Sequence, residues 1–336
     1  MAFSNTYDVD NNGSAVSNRE NLTDVLTILA PEETPILSSA QKQRASATNT
    51  EWTVDSLSAP NTAGIVEGDD VGTFTDQFAG RARMGNYTQK FRRDYRVSDL
   101  QEAVDSVGPA KIAQAEAKAI RELKRDIEAT LCSANVKQQA TAALPYKMTG
   151  LGGFIDSGAA ATTVPAGFTT PASSIYTTTE SAANAFSETA LNDIISSIFE
   201  VNGVSNGLVL VADVGLRRVI SDFARLSTVS TETSIRNVNY DGGVAAIKLS
   251  VEMYQSDHGI VSIVNANPDC MPNFGGATAN SSGYLLNPEY YGVHELIPMG
   301  STRLPNQGGG ERGFVDCALT LGVYHPQAHG LIQDVS

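Results

Sequence analysis

Two stretches of alternating polarity, Glu51–Leu57 (EWTVDSL) and Asn86–Val97 (NYTQKFRRDYRV), flank a Gly- and acid-rich segment, residues 58–85, that has no periodicity. Alternation with a period of two predicts strands, and strands joined across so long a connection predict a protruding hairpin instead of a tight turn. A long loop inside an ordered chain is usually functional or disordered. The second strand runs straight into a helical pattern. Ser98 followed by Gln101 is a capping-box signature, Leu100, Val104 and Val107 share one helical face, and Gly108-Pro109 breaks and restarts the helix. Ile112, Ala119 or Ile120, Leu123, Ile127 and Leu131 continue the helical pattern, which predicts a helix of about 25 residues, about 37 Å long. A hairpin and a helix of that reach need partners along their length, and this restricts the fold more than any other feature.

Elsewhere the pattern is mixed. Residues 1–18 are polar and read as an extended arm, after which Asn18 caps a short helix over 19–29 that Pro31 and Pro35 end. Such an arm cannot bury itself and is expected to dock on the body or on a neighbour. Residues 140–186 are rich in Ala, Thr, Gly and Ser, have little apolar periodicity apart from GLGGFI at 150–155, and are expected to form a surface excursion. Ser187 caps a helix with Leu191, Ile194, Ile195, Ile198 and Phe199 as its buried stripe and Gly203 as its left-handed end. A strand over Leu208–Ala212 and a helix from Asp213 to about Leu226 follow. Strands over Val244–Tyr254 and Ile260–Val264 flank the turn Ser256–Gly259, and Phe314–Tyr324 alternates clearly. Segregated helices and antiparallel strands make the fold class α+β.

Charge limits the function. With 23 basic and 37 acidic residues the net charge is -14, whereas proteins that wrap nucleic acid gather Lys and Arg against phosphates. An acidic container wall, by contrast, repels packed phosphates and lets them slide. Residues 81–137 carry 12 basic and 8 acidic side chains between two acidic segments, a distribution that suits pairing between segments or between copies as well as a solvated helix face. The cysteines Cys132, Cys270 and Cys317 have neither disulfide nor zinc spacing. The amino terminus, MAFSNTYDVDNN, has no basic start or apolar stretch, and no apolar run is long enough to span a membrane, so a cytoplasmic protein is expected.

Catalytic motifs are sparse. Gly203-Val204-Ser205-Asn206-Gly207 matches G-x-S-x-G, but a helix is predicted before it and a strand after it, the reverse of a nucleophile elbow. A hydrolase using Ser205 is the remote reading and a helix-to-strand turn the main one. His258, His294, His325 and His329 lack metal-site spacing and are expected in loops or at strand ends. Glu67, Asp69 and Asp70 (VEGDD) lack calcium-loop spacing and read as a surface-pairing cluster. No nucleotide-binding loop occurs, so no catalytic residue, cofactor or metal is expected.

The segments NRENLTDVLTILAPEETPIL (18–37), TEWTVDSLSAP (50–60), VEGDD (66–70), NYTQKFRRDYRVS (86–98) and ELKRDIEATL (122–131) resemble the major head proteins of tailed phages, the Hong Kong 97-like major capsid proteins. A weaker echo lies in VDCALTLGVYHPQAHGLI (315–332). The resemblance implies an N-terminal arm (1–45), an extended loop hairpin (46–97), a peripheral domain with the spine helix and a polar excursion (98–186), an axial domain (187–280) and return strands of the peripheral domain (281–336). It also implies a major capsid protein that self-assembles, as pentamers and hexamers, into the icosahedral head shell around double-stranded DNA, located in the virion capsid and in the host cytoplasm during assembly. A bacterial nanocompartment shell of the same fold is the alternative within that class.

Within that frame, an acidic loop tip (Glu67, Asp69, Asp70, Asp76) and a basic stem and spine (Arg81, Arg83, Arg92, Arg93, Lys118, Arg121, Lys124, Arg125) are expected to pair between copies, with Trp52 at the same interface. Some relatives lock their shells through a loop lysine. Residues 43–89 contain none, Lys42 and Lys90 only bordering them, so that cross-link is not expected. The first core-like helix begins within 20 residues, so a separate scaffolding protein is expected, with a portal, possible decoration proteins, non-specific contact with packaged DNA and no membrane partner.

Overall fold

The computed structural model describes residues 32–104, 111–156, 163–177, 186–203, 207–223, 238–241, 244–247, 251–271 and 282–333. The helix expected over 19–29 and most of the arm lie outside these residues, as does Ser205.

One sheet carries the long helix. Its strand order is β1 (Gln41–Arg44), β12 (Tyr291–Leu304), β13 (Glu311–Val323), β4 (Gln89–Val97). β12 and β13 form a long antiparallel hairpin whose register shifts between Glu295 and Gly300, where Pro298 has no N–H to give the ladder. Period-two alternation turns Phe91 and Tyr95 of β4 and Val315, Cys317 and Leu319 of β13 toward the spine helix α3 (Lys111–Cys132). That helix buries Ala119, Leu123, Ile127 and Leu131, four residues apart, against them. Its amphipathic spacing was legible, and the helix is 22 residues long.

The hairpin is present. β2 (Asn49–Val54) pairs antiparallel with β3 (Ala82–Tyr87), Trp52 opposite Met84. The partner of β2 begins at Ala82, within the segment that reads as loop, and the strand expected over 86–97 is divided, because the chain leaves the β2–β3 ladder at Thr88 and joins the four-stranded sheet as β4. Asn86 secures this crossing. Its fully buried amide donates to the carbonyls of Thr149 (3.1 Å) and Leu321 (2.8 Å) and accepts the Thr149 N–H (2.8 Å), so a costly buried polar group is satisfied.

A six-stranded sheet forms the second body of the fold, in the order β5 (Ile175–Thr177), β14 (Gly330–Gln333), β11 (Gly283–Leu286), β6 (Leu208–Ala212), β10 (Gly259–Asn265), β9 (Met253–Ser256). Its two faces belong to different cores. Leu208, Leu210, Leu285 and Ile332 pack with helices α5 (Glu188–Asn202) and α6 (Val214–Phe223), whereas Val211, Tyr284, Leu286 and Leu331 join the spine-helix core. Two pairs of strands in the return segment 281–336 therefore need distinguishing. β12 and β13 lie in the four-stranded sheet, while β11 and β14 pair with each other in the six-stranded sheet, β11 next to β6 and β14 next to β5.

Several local expectations need correction. The segment 140–186 is a surface excursion in only some of its described parts: residues 141–145 are exposed, but Met148, Leu151, Phe154, Ile155, Val164 and Phe168 are core residues. Glycines make this packing possible. A Cβ on Gly150 would lie 2.2 Å from the Ser133 carbonyl oxygen, and one on Gly153 2.5 Å from that of Asn135, so the short helix α4 (Leu151–Ile155) sits directly on the chain leaving the spine. Val244–Tyr254 is not one strand, since β8 (Val244–Ile247) pairs with β7 (Val238–Asp241) and β9 pairs with β10. Phe199 is 39% exposed and stacks on His258 at 5.0 Å, so it leaves the α5 stripe. Gly203 does end α5 in the left-handed region, at φ 67°, and Ser187 accepts the Ala190 N–H.

Of the histidines, His294 departs from the expectation of loops or strand ends by lying within β12, whereas His329 stands just before β14, as expected, and is fully buried. His329 Nδ1 accepts the Asn287 N–H at 3.2 Å, and burial, with His325 nearby, pushes its pKa down to about 4. The folded state thus holds a neutral ring that the unfolded chain protonates near pH 6.5. Stability contributed by that ring is present above this value and is lost as pH falls toward 4, by about 3 kcal/mol at the limit. Thermal unfolding of wild type and His329→Gln at pH 7 and pH 4 checks this: the wild type should lose more stability between the two, and identical losses would count against it.

Candidate functional site

The hairpin is fixed at its base and open beyond it. Val54 and Met84 are buried, and Trp52 packs against Phe154 and Tyr324, both with ring centroids 6.1 Å away. Two cross-strand ion pairs then close the stem, Arg83 to Glu51 at 3.3 Å and Arg81 to Asp55 at 2.8 Å. The Arg81 hydrogen bond lowers the Asp55 pKa. Past this clasp the chain runs from Ser56 to Gly80 with no helix or strand.

Large apolar side chains stand exposed along that loop. Leu57 is 100% and Phe74 87% exposed, with Ile65, Val66, Val71 and Phe78 also open to solvent. Scattered exposed apolar residues are ordinary, whereas a concentration of this kind marks an interaction surface. Local contacts shape the loop without covering it. Gly68, at φ 84°, allows the turn in which the Asp69 N–H reaches the Val66 carbonyl, Asp76 accepts the Phe78 N–H at 2.9 Å, and the Arg81 guanidinium lies 4.1 Å from the Phe78 ring centre. Glu67, Asp69 and Asp70 are exposed and form no ion pair with a described residue.

The basic residues present a different picture. Arg93 grips Asp126 of the spine helix through two hydrogen bonds, 2.5 and 2.7 Å, which raise its pKa. Arg92 pairs with Asp94 at 3.0 Å, Arg121 with Glu32 at 3.2 Å, Arg125 with Asp269, and Lys118 with Glu122 at 3.8 Å. Lys124 is exposed and has no ion pair among the described residues. The fold therefore brings the stem and spine cations other than Lys124 to acids of their own chain and brings none of them to the loop tip of that chain. Trp52 likewise packs within its own chain.

Three features were missed in the sequence. The loop's apolar residues lack periodicity, but their density in a Gly- and acid-rich stretch was a usable signal. Glu128, beside the Leu123–Ile127–Leu131 stripe, is buried and accepts the N–H groups of Ile36 and Leu37, both at 2.9 Å. It thereby ties the start of helix α1 (Pro35–Ser39) to the spine. Burial raises its pKa against the opposing effect of these bonds. Arg96 and Arg312 are the third, and only strand register brings them together.

The SU10 major capsid protein family matches residues 4–336. The chain belongs to that family. It is a major capsid protein, and solved capsid structures share its fold along the whole length. The capsid of cyanophage P-SCSP1u is 13% identical, covers 99% of both chains and has a TM-score of 0.58. The capsid of cyanophage A-1(L) is 16% identical over 95% of this chain and 97% of that one, with a TM-score of 0.60. An encapsulin, SrpI of Synechococcus elongatus, is 11% identical over 100% of this chain and 97% of its own, with a TM-score of 0.54. No curated protein matches the sequence. The capsid protein thus has the Hong Kong 97-like α+β fold, a structural role, and its place in the phage head shell.

Proposed function

We propose that the capsid protein assembles through pentamers and hexamers into a closed icosahedral shell around double-stranded DNA, each loop 55–81 lying on an adjacent copy. The exposed apolar loop carries this reading. Burying a large apolar side chain contributes about 1.5–3 kcal/mol, whereas an exposed ion pair contributes about 0–1 kcal/mol. Apolar contact thus supplies the affinity, and Glu67, Asp69, Asp70 and Asp76 set register and exclude wrong neighbours. Many weak contacts closing a symmetric surface give the shell its strength.

The net charge of -14 favours a wall that repels packed phosphates over one that binds them. A separate scaffolding protein, a portal and decoration proteins are the expected partners, and the host cytoplasm is the expected site of assembly. The encapsulin likeness is one of fold, and the phage family match favours a head over a cargo compartment. Electron microscopy of cells producing the full chain, alone and with the other head proteins of its phage, tests this reading. Closed particles of uniform diameter built mainly of this chain are expected. A chain that stays monomeric in both and is absent from purified heads would sink it.

A further inference from the structure

The four-stranded sheet has a second face, turned away from the spine helix. On β4, Arg93 bonds to Asp126 of the helix while Phe91 and Tyr95 enter the core, so alternation puts Arg92, Asp94 and Arg96 on the opposite side. Their register partners on β13 are Asp316, Phe314 and Arg312, and Leu304 of β12 stands opposite Arg312. Arg92, Asp94, Arg96, Leu304, Arg312 and Phe314 line a hollow of about 530 Å³.

This hollow is incompletely satisfied in the isolated chain. Arg92 has Asp94, but Arg96 and Arg312 face each other directly across the ladder, and neither has an ion pair with a described residue. Like charges so placed repel. The Arg312 Nε is also buried with no hydrogen-bond partner, and a buried donor left unpaired is costly. Beside these cations lie the Phe314 ring and Leu304, which is 42% exposed. An occupant has to bring carboxylates or phosphates together with apolar groups.

The loop has that composition. Residues 65–71 read Ile-Val-Glu-Gly-Asp-Asp-Val, and residues 56–80 contain no basic side chain. From the Asp55–Arg81 clasp to Asp69 the extended chain can reach about 40 Å. We infer that the groove of Arg92, Arg96 and Arg312 seats the acidic, apolar loop tip, residues 65–71, of a second copy of this chain. This rests on the shell reading and names the surface on which each loop lands. It moves the loop's basic counterpart from the spine helix, whose arginines already hold acids of their own chain, to the other face of the sheet. Carboxylates of Glu67, Asp69 and Asp70 separate Arg96 from Arg312 electrostatically and give Arg312 Nε its acceptor, while Ile65, Val66 and Val71 cover Phe314 and Leu304. DNA phosphates would answer the charge and leave the apolar wall bare.

Particles built from a mixture of Asp69→Cys and Arg96→Cys subunits test the contact in trans, since Cys132, Cys270 and Cys317 are buried. Mild oxidation should give a disulfide-linked dimer in mixed particles that neither variant gives alone, and Asp69→Cys mixed with Lys124→Cys should give none. In a second arm, Arg96→Glu with Arg312→Glu should lower particle yield about tenfold or more with the subunit's melting unchanged. Adding Glu67→Lys, Asp69→Lys and Asp70→Lys should restore the yield. Particles without the 69–96 link, a 69–124 link in its place, or failure of the restoring set overturns the inference. So does normal assembly of the Glu pair with loss of DNA retention, which would mark the groove as a phosphate site. A wild-type chain that forms no particle sinks the shell reading itself, whereas wild-type particles that form while the mixed Asp69→Cys and Arg96→Cys particles lack the link sink only this contact.

Discussion

Replacement of residues 56–80 by Asn-Gly should leave a subunit that folds and does not assemble. The strands β2 and β3 and the Asp55–Arg81 pair that closes them remain, and Asn-Gly is the favoured two-residue hairpin turn. Every large apolar residue removed is solvent-exposed in the subunit, so folding loses little apolar burial, and circular dichroism and the melting temperature should be those of the wild type. Assembly loses all of them. If just two of these side chains are buried between copies, the missing contribution is about 3 kcal/mol per contact, enough to weaken a pairwise association about 100-fold, and each shell repeats the contact many times. Particle yield by sedimentation and electron microscopy is the readout. Normal shells from this variant would remove the loop from the assembly mechanism; a melted subunit would show instead that the loop belongs to the fold.

Sequence periodicity carried some elements well, and the reason is local. Strands β2 and β4 and the spine helix repeat at 2.0 and 3.6 residues over stretches long enough to dominate their neighbours, and Ser187 and Gly203 bracket α5 with their own backbone requirements, whereas β3 lies mostly in the stretch that reads as loop. Where tertiary contact decides, periodicity fails. Residues 148–155 are buried through the absence of side chains at Gly150 and Gly153, a close approach that composition alone presents as a flexible surface segment. Phe199 stands at helical spacing with the α5 stripe, yet His258, far along the chain, draws it out of the core.

The site was half legible for the same reason. An acidic loop tip is a local fact of composition. Whether an arginine is available to a neighbour depends on which acids the fold sets beside it: Arg93 meets Asp126 only where β4 packs under the spine, and Arg125 meets Asp269 only where the chain after β10 reaches the helix. Arg96 and Arg312 are 216 positions apart in numbering and adjacent only through strand register. Burial of Glu128 is equally non-local, because its partners are the N–H groups of Ile36 and Leu37, 92 and 91 residues away.

Phe154→Ala tests how the core and the loop are joined. Phe154 is fully buried and forms one wall of the Trp52 site, with Tyr324 as the other. Truncating a buried phenylalanine costs about 3–5 kcal/mol, through lost transfer energy and the cavity left behind, a large share of the about 5–15 kcal/mol that holds a domain folded. Denaturant unfolding should show that loss as a lower midpoint with an unchanged slope. Trp52 is the sole tryptophan, so its emission reports the same site directly and should shift to the red in the folded variant as water enters the cavity. The ring also sits in β2, on the strand that leads to the Asp55–Arg81 clasp. Loss of its wall should therefore loosen the hairpin at its root and reduce particle yield even under conditions where the subunit is fully folded. Phe154→Leu, which refills most of the volume, should recover both signals together. Recovery of stability without recovery of assembly would separate the two and place the loop's orientation under some other control than the Trp52 site.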